Sequence, residues 1–421
     1  MLTTPYWWDH APPADTPGDI PLPARTDVAI IGGGYTGVSA ARTLARHGVD
    51  VTVLEREVPG WGASTRNGGM VLPGFKREAG PLLAKYGRER ARALFAESVE
   101  SVDFLERVIA EERIDCGWAR TGYVTLAWKR SHLAGLARDG ELLEREFGYR
   151  TVLLPADRVG EEIGSTTYHG GLVDERAGAV QPAQLFRGLE RAARRAGARL
   201  VSGVEARSIR REAGGYALET SRGPLRCREL IVATNGYSGP VHAGLRRRVV
   251  PLGSYLIATA PLEPGLARSL IPRGRMLSDS KNLLFYFRLS ADHRLLFGGR
   301  ASFRPTSEAE SARNLAAAMR AIYPQLAQTP IEYSWWGNVA LTVDQMPHAG
   351  RRDGVWYALG YCGHGVAMSG YLGARLGDAV AGRGDLRPFD DLPFPAFPLY
   401  RGRPWFLPAV GAWFRVVDAV K

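Results

Sequence analysis

With 421 residues, the chain is longer than one hydrophobic core usually supports, and 45% hydrophobic with 23% charged residues excludes a disordered or fibrous protein. The formal charge of +11 is nearly all arginine, since the lysines are only Lys76, Lys85, Lys129, Lys281 and Lys421. Those arginines are interleaved with glutamates in segments such as GRERARALF and RGLERAARRAGAR, which argues against the one-sided basic face of a nucleic-acid binder.

Residues 1–24 read as an irregular, proline-rich lead-in with no basic stretch followed by an apolar run, so no signal peptide is expected. The next segment, TDVAIIGGGYTGVSAARTLARHGVDVTVLERE, reads as a buried strand, a glycine turn, a helix and a second strand. After it comes GWGASTRNGGM, with few large apolar side chains, and then a helical region from Arg77 to Arg113. GYVTLAW reads as a strand and Ser131–Phe147 as a helix, the two together resembling an insertion. From Gln181 a helix feeds a strand, and short strands lead to RELIVATNGYSG, where an apolar run enters a glycine turn. A mainly β stretch from Val249 to Arg300 includes SYLIATA, NLLFYFRLS and HRLLFGGR, and the helix of SARNLAAAMRAIY follows. VWYALGYCGHGVAMSGYLGARLGDAVAG then returns to strand, glycine turn and small-residue helix. Without a long linker or repeat, two domains are expected to alternate along the chain.

Cys116, Cys227 and Cys362 lie far apart with no CxxC, so neither a disulfide framework nor a zinc or other metal site is expected. With no apolar window long enough to span a bilayer, the expected setting is cytoplasmic.

The chemistry starts at GGGYTG. Gly32, Gly34 and Gly37 hold the G-x-G-x-x-G spacing after the apolar run Val28–Ile31. The first glycine allows a tight turn, the second lets a pyrophosphate approach the backbone, and the third lets helix and strand pack closely. The helix N-terminus then faces the anion. Glu55 closes the second strand, where a carboxylate accepts hydrogen bonds from ribose hydroxyls. A second glycine-rich segment directly afterwards suits a dinucleotide with a wide ring system. In it Ser64 offers a hydroxyl and an amide to a phosphate, and Asn67, Gly68, Gly69 and Met70 lie beside the ring where side chains would collide.

These segments, with the YWW of the lead-in, IVATNGYSG, FYFRLSADHRLLFGGR, LGYCGHGV and the tail YRGRPWFLP, resemble the D-amino acid oxidase superfamily of FAD-dependent oxidoreductases, nearest its γ-glutamylputrescine oxidase-like branch. The resemblance implies an α/β fold, α+β overall: a Rossmann-type FAD-binding domain of the D-amino acid oxidase/glutathione reductase type, with an interleaved antiparallel-sheet substrate domain. The expected division is 1–112, 150–240 and 333–421 for FAD, and 113–149 and 241–332 for substrate. It also implies FAD as cofactor. The pyrophosphate would lie over Gly32, Gly34, Tyr35, Thr36 and Gly37, and the adenosine ribose at Glu55 beside Arg56. Gly62, Ala63, Ser64, Arg66, Asn67, Gly68, Gly69 and Met70 would follow the cofactor toward its ring. Ala206 would give backbone contacts to adenine, and Ala233, Asn235 and Gly236 would line the adenosine side. Gly363, His364, Gly365 and Val366 would end at the flavin N1 and C2 carbonyl, where a helix N-terminus stabilises the reduced anion.

The expected reaction is oxidation of a C–N bond with hydride transfer to flavin N5 and hydrolysis of the imine, the hard chemistry belonging to the cofactor. Amino acid oxidases of this superfamily clamp a substrate carboxylate with arginines at places that here read WWGNVALTVD and GYCGHG, which hold none. An amine or N-substituted amine is therefore the expected substrate, with a D-amino acid or glycine as the alternative if Arg288 is the clamp. A flavoprotein without turnover is a third reading. Trp335, Trp336 and Tyr255 are candidates for an apolar wall, Arg288 for anion binding, Tyr286 for the pocket, and His364 for a role near the ring. Relatives of the sarcosine oxidase type use a lysine near the ring for oxygen, and HRLLFGGR has none, so oxygen and another electron acceptor both stay open. Cys362 reads as a packing residue ahead of a covalent attachment point. The aromatic, basic tail reads first as a docked helix and second as a weak membrane-surface contact.

Overall fold

The computed structural model describes residues 1–13, 20–299 and 307–420. Residues 14–19 of the lead-in, Arg300 at the end of HRLLFGGR, and Lys421 lie outside them.

The apolar run Val28–Ile31 belongs to the strand Arg25–Ile31, which pairs in parallel with Val51–Leu54 on one side and Gly223–Val232 on the other. Covered on both faces, such strands are nearly continuous Val, Ile and Leu. The sheet runs in the order His348–Arg352, Val355–Leu359, Gly223–Val232, Arg25–Ile31, Val51–Leu54, Arg199–Val201, with Ala206–Glu212 and Gly215–Thr220 attached to Gly223–Val232 as an antiparallel ribbon. The helices Tyr35–Arg46, Pro182–Arg195 and Gly365–Val380 pack beside it. Close contact between the first and last of these depends on missing side chains. A Cβ on Gly373 would overlap the Thr36 carbonyl, and one on Gly377 would stand 2.9 Å from the Ala40 carbonyl.

The second sheet runs Ile331–Leu341, Val250–Thr259, Leu295–Gly299, Phe285–Leu289, Met276–Asp279, Tyr123–Leu126, Gly171–Asp174, Val152–Leu154. Its pairings are antiparallel except that of Met276–Asp279 with Tyr123–Leu126. Helix Glu308–Ile322 covers one face through Leu315, Ala316 and Met319, which cluster with Tyr255, Ile257, Phe287 and Phe297. Both Val152–Leu154 and Gly171–Asp174 pair here, and so does Ile331–Leu341. By strand pairing, then, segments 150–240 and 333–421 each contribute to both sheets.

The helical region expected from Arg77 to Arg113 is two helices, Ala79–Tyr86 and Arg88–Glu111, because Gly87 turns to φ +74 between them. The first residues of the lead-in are held by backbone pairing and by aromatic side chains. Leu2 donates to the Glu332 carbonyl at 2.7 Å and accepts from Ser334 N–H at 2.9 Å, extending the outer edge of Ile331–Leu341. Tyr6–Asp9 then forms a short turn that buries Tyr6 and Trp7.

Tail helix Leu407–Val420 is docked on the protein. Tyr400 and Leu407 cluster with Val250 and Leu252, and the Asp418 carboxylate accepts from Asn282 and Leu283 amides at 2.9 and 3.0 Å. This is the first of the two readings of the tail; nothing supports the second, a weak membrane-surface contact, and part of the helix's apolar surface is already covered. Among the described residues no helix is long and apolar enough to cross a membrane.

Candidate active site

One cavity of about 450 Å³ takes its lining from both glycine turns and from the ends of three strands in the first sheet. Gly32, Gly34, Tyr35 and Thr36 line it from the first turn; Gly62, Ala63, Ser64 and Asn67 line it from the second. The turns are joined, since Tyr35 N–H donates to Ser64 Oγ at 2.9 Å. Gly32, at φ +109, could not carry a side chain: a Cβ would stand 2.8 Å from the Ala233 carbonyl. Gly37 is not in the lining. It lies beneath, where a Cβ would overlap the Gly32 carbonyl, as the close-packing role of the third glycine requires.

Two helices start at this cavity: Tyr35–Arg46 behind Gly34, and Gly365–Val380 behind His364. Gly363, Gly365 and Val366 line the second approach. Thr36 Oγ1 and Tyr361 OH, 2.7 Å apart, tie the two N-termini together. Both sets of unsatisfied amides favour negative charge in one space.

Glu55 and Arg56 line the cavity at the end of Val51–Leu54. The Glu55 carboxylate accepts from Gly33 N–H at 2.8 Å and Glu57 N–H at 3.0 Å; burial raises its pKa, and these amides act the other way. Ala206 lines the far end, with Val204 and Glu205 beside it, and Ala233 and Asn235 line the side. Gly236 is set back, its carbonyl accepting from Asn338 Nδ2 at 3.2 Å.

Thr65, Arg66, Gly68, Gly69 and Met70 of the second turn are not in the lining. The Arg66 guanidinium lies over the rings of Trp8 and Trp61, 4.9 and 4.5 Å from their centres, and donates to the Trp61 carbonyl at 2.7 Å. Gly68 meets the second sheet, where a Cβ would stand 3.1 Å from the Tyr286 ring. Gly69 is at φ +71 against the Val180 carbonyl, and Met70 pairs with Ala179.

The second sheet separates the expected aromatic wall. Neighbouring residues of a strand point to opposite faces. Trp335 belongs to the face holding Leu256, Tyr286 and Trp7, whereas Tyr255 packs with the residues of helix Glu308–Ile322 and lies 6.2 Å from the Trp336 ring. Tyr286 meets Ser254 Oγ at 2.9 Å. Arg288 is not placed as an anion clamp. Its Nη1 donates to the carbonyls of Gly69 at 3.1 Å and Val180 at 2.9 Å, and burial lowers its pKa to about 10. His364 is held to about 4 by burial and then by Lys76, and its Nδ1 is buried without a hydrogen-bond partner, so the ring is neutral at pH 7. Cys362 lines the cavity at φ +53 with its thiol 3.3 Å from Thr342 Oγ1 and 3.2 Å from the Gly360 carbonyl, the contacts of a packed side chain.

Trp61, Tyr237, Asn338 and Tyr361 also line the cavity and were not singled out from sequence. Tyr237 and Tyr361 sit inside segments that were, NGYSG and GYCGHG. What gives them away is a partner across the fold: Tyr237 OH accepts from Asn338 N–H at 3.1 Å.

The residues fit FAD: two helix N-termini converge on one space, a glycine cradle admits a backbone-hugging ligand, and a buried carboxylate stands at the end of the second strand. A model of the FAD dependent oxidoreductase (DAO) family matches residues 27–379. The chain belongs to this family.

As a DAO-family protein it is an FAD-dependent oxidoreductase. It is 35% identical over 391 residues to gamma-glutamylputrescine oxidoreductase of Escherichia coli, spanning 92% of this chain and 91% of that one. It is 33% identical over 390 residues to the probable oxidoreductase OrdL of Haemophilus influenzae, spanning 90% and 88%. In fold it matches glycine oxidase from Geobacillus kaustophilus with a TM-score of 0.75 at 23% identity, covering 90% of this chain and 100% of the other.

Proposed function

We propose that this DAO-family enzyme oxidises a C–N bond in an amine or N-substituted amine of the γ-glutamylputrescine type. The observation that carries this reading is the position of the arginines. Arg288 is committed to two backbone carbonyls, and neither Ile331–Leu341 nor the turn Gly360–Gly363 contains an arginine. A carboxylate next to the reacting carbon therefore has no guanidinium on those segments. The likeness to gamma-glutamylputrescine oxidoreductase supports the same class.

Bound FAD would supply the two-electron acceptor for hydride leaving the carbon beside a neutral nitrogen. In this reading Gly32, Gly34, Tyr35 and Thr36 hold the pyrophosphate with Gly37 packed beneath them, Glu55 holds the ribose, and Ala206 with Ala233 the adenosine. The amides of Gly363–Val366 and the helix behind them favour negative charge at the ring end. His364, neutral, contributes shape and no cationic charge. Tyr286 and Ser254 present hydroxyls on the face of the second sheet that meets Gly68 and exclude bulk water there. We also place the enzyme in a reducing cytoplasm, since Cys116, Cys227 and Cys362 are buried and unbridged.

Anaerobic bleaching of the flavin tests the reading. γ-Glutamylputrescine or a related N-substituted diamine is expected to bleach it, and glycine and D-alanine are not. Bleaching by glycine or D-alanine alone would replace this reading with an amino acid oxidase, and bleaching by nothing would leave a flavoprotein without turnover. Oxygen uptake during turnover then identifies the electron acceptor.

A further inference from the structure

The second glycine turn has few side chains with which to pack, yet its backbone is held from outside at successive residues. Trp8 Nε1 donates to Thr65 Oγ1 at 2.9 Å, and Thr65 Oγ1 donates to the Gly60 carbonyl at 2.7 Å. Trp335 Nε1 donates to the Arg66 carbonyl at 2.8 Å, and Trp7 Nε1 to the Asn67 carbonyl at 2.8 Å. Arg288 Nη1 reaches the Gly69 carbonyl at 3.1 Å. These donors come from the lead-in turn and from two strands of the second sheet, all far away in sequence.

The direction of these bonds matters. In a trans peptide the C=O of one residue and the N–H of the next point in opposite directions. With the Arg66 carbonyl turned to Trp335 and the Asn67 carbonyl turned to Trp7, the N–H groups of Asn67 and Gly68 must point away from the indoles. Asn67 lines the cavity. Both indoles are buried, so each N–H needs an acceptor and each carbonyl a donor.

We propose that Trp7 and Trp335 are positioning residues that set two peptide planes of this turn, aiming the Asn67 and Gly68 amides at the flavin. The lead-in segment thereby becomes part of the cofactor site, although its residues do not line the cavity. This inference rests on the placement of FAD proposed above.

Amide hydrogen exchange on the wild-type apoprotein, with and without FAD, tests it. FAD is expected to protect the Asn67 and Gly68 amides as well as those of Gly34–Thr36. Protection at Gly34–Thr36 without protection at Asn67 and Gly68 overturns the role of the indoles and leaves the cofactor placement standing; protection at neither removes both. Trp7→Phe and Trp335→Phe keep an aromatic ring and delete the donor. Each is expected to weaken FAD binding by equilibrium dialysis roughly fivefold, the factor for one lost neutral hydrogen bond, and the double variant roughly 25-fold. The exposed Trp405→Phe is expected to stay within about twofold. A purely structural role predicts instead a lower unfolding temperature with unchanged FAD affinity, and that result would overturn the proposal.

Discussion

The two glycine turns resemble each other in composition and differ in what makes their glycines necessary. In the first, the constraint at the third glycine is internal, a Cβ on Gly37 overlapping the Gly32 carbonyl, while Gly32 itself lies against the Ala233 carbonyl of the neighbouring strand's end. In the second, it is external. Trp7, Trp335 and Arg288 hold carbonyls of residues 66, 67 and 69, and Gly69 is bent against Val180. A short motif can encode a turn that packs on itself. It cannot encode one that is held by three distant parts of the chain.

Substitutions can break or sharpen this contrast. The largest effect is expected from Gly37→Ala, whose methyl would overlap the Gly32 carbonyl: roughly 3 kcal/mol of stability and the bound flavin should both be lost, as read by urea unfolding and by absorbance of the purified protein. A stable, yellow Gly37→Ala protein would remove the internal-packing account. Gly34→Ala places its Cβ 2.9 Å from Ser64 Oγ, a side chain rather than a backbone atom. It is expected to weaken FAD binding about tenfold with a smaller loss of stability, and Gly34→Ala/Ser64→Ala should recover part of that affinity. Ser64→Ala alone deletes the acceptor for Tyr35 N–H, the side-chain bond between the turns beside the backbone bond from Gly60 N–H to the Gly33 carbonyl, and should destabilise by about 1 kcal/mol. Were it neutral, the Ser64 hydroxyl would add nothing to the backbone bond between the turns.

The smallest effect at neutral pH concerns His364. Burial holds its folded pKa at about 4 against 6.5 for the exposed group, so between those values the unfolded chain binds the extra proton. Stability is therefore fully present above pH 6.5 and falls as the pH drops toward 4. His364→Gln should flatten that acid-side decline in unfolding measurements while leaving the pH dependence between about 7 and 9 unchanged. A change of slope in the upper range would show a protonated His364 in the folded protein.

Much of the first sheet's centre was legible because its signals are local: an apolar run, three glycines at fixed spacing and Glu55 at the end of the next strand. The family resemblance pointed to the second helix N-terminus, where Gly363, Gly365 and Val366 line the cavity. The rest depended on partners far away in sequence. Val152–Leu154 and Gly171–Asp174 join the second sheet through each other and through Tyr123–Leu126, and no spacing rule announces such a ladder. Arg288 read as a candidate anion clamp because its acceptors, the carbonyls of Gly69 and Val180, leave no trace in side-chain composition. The division between Trp335 and Trp336 was present in the sequence, since adjacent residues of a strand cannot share a face.

The pairing of Leu2 alongside Glu332 and Ser334 bears on solution behaviour. Ile331–Leu341 is the outermost strand of its sheet, and an uncovered row of amides and carbonyls there invites another molecule to add a strand. With the first residues laid along it, part of that row is shielded, so trimming the chain ahead of Pro5 would foster self-association before it harmed turnover.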